Sequence, residues 1–117
     1  NHEFYKNIFK NQEGVELFTE PSEEYQSNHW LNAIIIHPEK TGNKDREFWR
    51  LSFAEEHIET RPLWKPMHLQ PLFANKMYFG ANIAETLFNN GLCLPSGSNL
   101  TDDDKERIYK VIKKLIE

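Results

Sequence analysis

The sequence predicts an α+β domain, a small α/β layer in which helices cover a short, mainly antiparallel sheet of three to four strands. Three observations support this prediction. The 117 residues suffice for one hydrophobic core but not for two domains. Apolar residues recur at helical spacing at both ends of the chain, and a continuous β-favouring run, "AIII", lies between them. The predicted order of elements is α-β-α-β-α-β-α.

The first predicted helix covers roughly the first ten residues, "NHEFYKNIFK", and ends near Gly14, which suits a chain reversal. The next segment, "FTEPSEEYQSN", is polar and without a sustained period, so it is predicted to be a loop. "HWLNAIIIHP" is predicted to be a strand covered on both faces, closed by Pro38, at the centre of the sheet. The helical spacing of the first segment comes from Phe4, Tyr5, Ile8 and Phe9.

The second predicted helix is "DREFWRLSFAEEH", with Asp45 and Glu47 in its first turn, where the helix dipole favours anions. His57 is placed where this helix ends, because His tolerates the left-handed backbone conformation better than most residues. The predicted buried face is broad and includes Phe48, Trp49, Leu51 and Phe53.

The second half of the chain contains two more predicted strands, "IETRPLW" and "LCLP", separated by a helix over "NIAETLFNNG". Gly91 is predicted to end that helix in the left-handed conformation. The last helix, "TDDDKERIYKVIKKLIE", begins with a capping box formed by Thr101 and Asp104. Its core-facing stripe consists of Ile108, Val111, Ile112, Leu115 and Ile116.

Composition excludes several classes of function. The chain has 14 Lys plus Arg against 18 Asp plus Glu, a net charge of -4, so nucleic acid is not an expected partner. The longest apolar run is too short to span a membrane, and a single cysteine, Cys93, fits a reducing cytoplasm. The five histidines match no zinc-ligand spacing and fall on different elements, so no metal site is expected.

The segment "RPLWKPMHLQP" carries the strongest functional signal. Its three prolines fix the backbone and remove three N–H donors, which predicts a rigid, extended surface path. Arg61, Lys65 and His68 can then meet an anion, and Trp64 offers a stacking face. The alternative is that the apolar residues of this segment fill a core edge or a seam between domains while the cations stay in water.

Three segments together resemble a known family: "SNHWLNAIII", "HIETRPLWKPMHLQPLF" and "AETLFNNGLCLPSGSNLTDDDKERIYKVI". They resemble the C-terminal small domain of the DegT/DnrJ/StrS family of pyridoxal-phosphate-dependent sugar aminotransferases, which have fold type I. The resemblance implies that residues 1–117 are one small domain of a longer protein, with residues 1–11 the end of an interdomain helix. An N-terminal large domain would carry the cofactor lysine.

The resemblance also implies a substrate site. Arg61, Trp64, Lys65 and His68 match the segment that lies near the nucleotide-sugar entrance and the partner subunit of a homodimer, and Trp30 approaches the same region. No residue of this chain is expected to be catalytic or to bind the cofactor, and Lys65 does not match the cofactor-lysine motif. The expected substrate is a UDP-linked 4-keto-6-deoxy amino sugar, aminated in the cytoplasm with glutamate as donor on a route to surface polysaccharide.

Two expectations follow for the chain alone. It should be inactive, and it should expose apolar surface on the first helix and around Leu69 to Phe73, where the large domain and a second subunit would pack. We therefore expect the chain alone to self-associate. The alternative function is a free-standing, non-catalytic binding or regulatory module that uses the same domain.

Overall fold

Four helices surround one four-stranded antiparallel sheet in the computed structural model, which describes all 117 residues. The helices are α1 (His2–Phe9), α2 (Arg46–Glu55), α3 (Ile83–Asn90) and α4 (Asp102–Ile116). The strands are β1 (Val15–Leu17), β2 (Asn32–Ile36), β3 (Arg61–Pro62) and β4 (Gly91–Leu94). Three short 3-10 segments cover Pro38–Lys40, Met67–Leu69 and Pro71–Phe73. The predicted fold class is therefore confirmed.

The sheet has the order β1-β2-β4-β3, so the predicted "AIII" strand lies in its interior, as expected. Strand β1 is not predicted from the sequence. It pairs with β2 through Val15 and Leu17, after Gly14 turns the chain at a φ of 84°. Three residues are too few to show a strand period, and only the pairing with β2 identifies them.

The sheet is covered on both faces. Alternate residues of β2 and β4, including Ile34, Ile36 and Leu92, belong to the main core, which α1, α2 and α4 complete. Ile35 and Cys93 alternate with these residues and so lie on the opposite face. Helix α3 packs along β2 and β4. Burial raises the pKa of the Cys93 thiol, which fits a packing role for this cysteine.

Helix α4 agrees with its prediction in both capping and burial. The Asp104 N–H donates to the Thr101 hydroxyl at 3.2 Å, and the Thr101 N–H donates to the Asp104 carboxylate at 3.0 Å. The Thr101 hydroxyl also donates to the Asp104 carboxylate, at 2.7 Å, and this bond is the largest cause of the lowered pKa of Asp104, followed by the bond from the Thr101 N–H. Four of the five predicted stripe residues are buried, and Ile116 packs against them.

Helix α2 buries a narrower face than predicted. Trp49 and Phe53, one turn apart, are fully buried, whereas Phe48 and Leu51 are each 49% exposed. The prediction of a broad buried face was wrong because α2 packs one stripe against α4 and the sheet, and its other apolar residues lie outside that contact. His57 ends the helix region at a φ of 57°, as predicted.

Gly91 does not adopt the predicted left-handed conformation. Its φ is -93° and its ψ is 137°, so α3 leads directly into β4 without a turn. Glycine is required there for space: a Cβ would lie 2.5 Å from the Leu87 carbonyl oxygen and would overlap the Leu63 side chain. The prediction failed because close packing and positive φ both select glycine.

The strand predicted over "IETRPLW" is reduced to Arg61 and Pro62, because Pro62 and Pro66 cannot donate to a ladder. The path beyond it is extended only in part, since it contains two 3-10 segments.

The expected apolar patch on α1 is also wrong. Tyr5 and Phe9 are buried in the core, and Phe4 and Ile8 pack against it. The second expected patch, around Leu69 to Phe73, is exposed at Leu69 and Leu72. Further large exposed apolar side chains lie nearby and include Met77, Phe79 and Ile83. None of the helices combines the length and apolarity needed to cross a membrane.

The close approach at Gly91 gives the first prediction. Gly91→Ala should lower the free energy of unfolding by about 1 to 3 kcal/mol, because the added methyl group forces the α3–β4 junction apart. Urea unfolding followed by circular dichroism measures this change. Gly42→Asn is the matched control: its φ of 64° suits Asn, nothing lies within 4 Å of a Cβ there, and its effect should stay within about 0.5 kcal/mol. A neutral Gly91→Ala would contradict the packing explanation.

Candidate functional site

Two exposed tryptophans form the most distinctive surface feature of the chain. Trp30 lies just before β2, and Trp64 follows β3 within the proline-rich segment. Their ring centroids are 6.4 Å apart and their planes are tilted by 33°, although 34 residues separate them in sequence. The two residues are 69% and 67% exposed. The structure thus brings together two of the predicted site residues as a pair of open aromatic faces.

Arg61 and Lys65 lie on the same segment as Trp64, and both are exposed. The Arg61 guanidinium donates to the Glu59 carboxylate at 2.7 Å, in a pair that is itself largely exposed. Such a pair contributes little stability, so an incoming anion can displace Glu59 at small cost. Both cations are therefore exposed on the segment that carries Trp64.

His68 has a different environment from the one predicted. Its Nε2 lies 2.8 Å from the Glu85 carboxylate of α3, and its ring stacks on Tyr78 with centroids 3.8 Å apart. The partly buried His68 side chain therefore links the proline-rich segment to α3. Pro66, two residues before His68, is buried. The middle of the segment is therefore anchored, while Trp64 and Lys65 remain exposed. The expected rigidity thus comes from tertiary contacts as well as from proline.

A buried polar network holds the start of β2, next to Trp30. Asn32 is only 1% exposed, and its backbone N–H and side-chain amide both donate to the Ser96 hydroxyl, at 2.8 and 3.1 Å. Ser96 in turn donates to the Leu94 carbonyl. The Asn32 Oδ1 lies 3.0 Å from Nδ1 of His2 on α1. One side chain therefore joins α1, β2 and the segment after β4.

A neighbouring bond strengthens the same junction. The Tyr5 hydroxyl of α1 donates to the Pro95 carbonyl at 2.7 Å, and burial raises the pKa of this phenol. Neither Tyr5 nor Asn32 is predicted from the sequence as a polar anchor. The available signal was a polar Asn at the start of an otherwise apolar strand, which must find partners when buried.

Lys65 does not fit the role of a cofactor ligand. Lys65, the lysine of the proline-rich segment, has an exposed side chain, whereas a Schiff-base lysine works in a desolvated pocket. Trp30 and Trp64 supply stacking faces, and the segment of Trp64 also carries the exposed cations Arg61 and Lys65. This surface can bind and orient a ligand, and we assign no proton transfer to it.

Comparison with known proteins identifies the family of the chain. Residues 1–113 match the model of the DegT/DnrJ/EryC1/StrS aminotransferase family. The chain belongs to this family. It is 37% identical over 115 residues to EpsN of Bacillus subtilis (strain 168), which carries the name of a pyridoxal phosphate-dependent aminotransferase. That alignment covers 95% of this chain and 28% of EpsN.

Solved structures show the same fold. The chain aligns with Helicobacter pylori PseC, an aminotransferase involved in the biosynthesis of pseudoaminic acid, with a TM-score of 0.78 and 21% identity. It aligns with DesI, solved in the presence of its TDP-sugar product, with a TM-score of 0.80 and 23% identity. These alignments cover 98% and 97% of this chain, but only 30% and 29% of the two aminotransferases. This chain therefore spans less than a third of the length of either aminotransferase.

The Asn32 network gives the second prediction. Asn32→Ala should lower the free energy of unfolding by about 1 to 3 kcal/mol, because Ser96 and His2 lose a buried partner. Urea unfolding measures the loss. Asn89→Ala, which removes an exposed amide on α3, should stay within about 0.5 kcal/mol. Equal effects of the two substitutions would show that the buried amide has no special role.

Proposed function

We propose that residues 1–117 form the C-terminal small domain of a longer pyridoxal-phosphate-dependent aminotransferase that acts on a nucleotide-linked keto-sugar. Membership of the family supports the reaction class. The limited share of the relatives that the chain covers supports a separate large domain, which would supply the cofactor lysine. In this proposal the small domain binds and covers the substrate, and the protein works as a homodimer.

The observation that carries the substrate proposal is the Trp30–Trp64 pair. The centroids of the two indoles are 6.4 Å apart, and both residues are more than two-thirds exposed. The pair therefore presents a large aromatic area to water. A nucleobase or a sugar ring that covers one of these faces removes apolar area from water and gains stacking energy of roughly 1 to 3 kcal/mol per base. A nucleotide-linked sugar provides both kinds of ring.

Positive charge on the segment of Trp64 supports a ligand with a diphosphate between its nucleobase and its sugar ring. Arg61 lies three residues before Trp64, and Lys65 follows it directly. An arginine fork contacts a phosphate through two N–H groups at once, and exchanging the exposed Glu59 for a phosphate costs little. His68 contributes by holding the segment against α3, which fixes where Trp64 stands.

The finer features of the substrate rest on the sequence resemblance. We propose a UDP-linked 4-keto-6-deoxy amino sugar as acceptor and glutamate as amino donor, on a route to surface polysaccharide. When bound to the large domain, pyridoxal phosphate supplies the electron sink for amino transfer. The residues of this chain position the keto-sugar and limit the access of water to it.

Exposed apolar residues beyond the proline-rich segment support the proposed assembly. Leu72, Met77 and Phe79 are each more than three-quarters exposed, which is costly unless another surface covers them. We propose that the large domain or the second subunit covers this group in the complete enzyme.

The third prediction tests the tryptophan pair in the full-length protein. Trp64→Ala and Trp30→Ala should each raise the KM for the nucleotide sugar at least about fivefold, because each removes a stacking face worth about 1 kcal/mol or more. The half-reaction with the amino donor should be unchanged, since the donor lacks a base to stack. Steady-state kinetics and a stopped-flow donor half-reaction measure the two effects.

A matched control distinguishes the loss of stacking on the substrate from the loss of any exposed aromatic ring. Phe48→Ala removes a half-exposed ring on α2, outside the proline-rich segment, and should leave the KM unchanged. Trp64→Phe, which keeps a ring, should recover most of the lost affinity. If both alanine variants retain the original KM, the tryptophans do not contact the substrate.

A further inference from the structure

Two histidines and a glutamate from distant parts of the sequence meet at one point on the surface. His2 is the first residue of α1, Glu20 follows β1, and His29 precedes β2. One potential ligand atom from each lies within 4.8 Å of the other two. No such cluster is expected from the sequence, because the histidines fall on different elements, but the fold brings the start of α1 and the loop between β1 and β2 together.

The orientation of His2 is fixed by the buried network. Its Nδ1 lies 3.0 Å from the Asn32 Oδ1, and the Asn32 amide nitrogen is already a donor to Ser96. The Asn32 oxygen can only accept, so Nδ1 of His2 carries the hydrogen in this contact. The lone pair is thereby left on Nε2, as at metal-bound histidines whose other ring nitrogen donates its hydrogen to an oxygen.

Glu20 and His29 are held together by the loop that connects them. Nε2 of His29 lies 3.3 Å from a Glu20 carboxylate oxygen, and that same oxygen accepts the Ser27 N–H at 3.0 Å. The Ser27 hydroxyl accepts the N–H of His29, whose φ of 48° is in the left-handed region. The loop thus aims an anionic oxygen at the two imidazoles.

We propose that His2, Glu20 and His29 form a binding site for a divalent transition-metal ion of the zinc class. Two imidazoles and one carboxylate are a ligand set that binds zinc, with remaining positions open to water. Tetrahedral bonds of about 2.0 to 2.2 Å place ligand atoms roughly 3.3 to 3.6 Å apart, so a pair near the 4.8 Å limit must move closer by about 1.2 to 1.5 Å.

One local rearrangement accompanies binding. The two imidazole rings stack with centroids 3.7 Å apart and planes 7° from parallel, so their lone pairs run side by side instead of converging. His29 is on a loop and turns about its Cβ–Cγ bond, whereas Asn32 holds His2 in place. A metal ion therefore exchanges ring stacking for coordination without moving α1 or β2.

The site adjoins the candidate substrate surface. An open cavity of about 550 Å³ is lined by residues that include His2, His29, Trp30 and Ser96. A bound metal cross-links α1 to the loop that carries Trp30, and so restricts the position of that indole. The inference does not depend on the proposed aminotransferase function, because the ligands and their contacts are independent of it.

Metal binding is tested on the full-length protein after chelator treatment, by isothermal titration with zinc chloride alone. We expect binding that Glu20→Gln and His29→Gln each weaken at least about tenfold, as losses at metal sites do. Zinc should also change the tryptophan fluorescence, and Trp30→Phe should remove that change.

The matched control is His37→Gln. His37 also lies near one carboxylate, that of Glu39 at 3.6 Å, but it belongs to no group of three ligands. Zinc affinity should be the same in this variant as in the original protein. Circular dichroism verifies that every variant is folded. Absence of zinc binding, or an affinity that Glu20→Gln and His29→Gln leave unchanged, would overturn the proposal.

Discussion

The buried amide of Asn32 is the contact on which the rest of the candidate site depends. It donates to Ser96 and faces His2, so it fixes the start of β2, the exit from β4 and the beginning of α1 relative to one another. An unpaired buried amide in this position costs about 1 to 3 kcal/mol. That is a considerable part of the roughly 5 to 15 kcal/mol by which a small domain is stable. Trp30 lies two residues before Asn32, so the same contact fixes the backbone that follows the first aromatic face.

The second aromatic face is positioned by a different device. Prolines restrict β3 to two residues, and the chain then leaves the sheet carrying Trp64 and Lys65 into solvent. Pro66 is buried, and His68 binds Glu85 of α3 at 2.8 Å, so the segment is fastened immediately beyond the exposed residues. A rigid surface segment of this kind holds a stacking side chain in place before a ligand arrives, which lowers the entropy cost of binding.

Sequence patterns predicted the parts of the fold that local chemistry determines. The capping box at Thr101, the stripe on α4 and the central strand all follow from residues close together in the chain. Strand β1, the exposure of Phe48 and the conformation of Gly91 depend on neighbours from elsewhere in the fold, and local patterns do not contain them. For the site, the resemblance named Trp30 and Trp64, but their pairing and the links from Asn32 to Ser96 and His2 appear only in three dimensions.

The most direct test of the functional proposal is a crystal structure of the full-length protein with pyridoxal phosphate and a UDP-linked amino sugar. We expect the nucleotide or sugar ring to contact the indole of Trp30 or Trp64, with Arg61 released from Glu59 and bonded to the diphosphate. A nucleotide sugar bound away from both tryptophans and from Arg61 would contradict the proposal that this surface forms one wall of the substrate site.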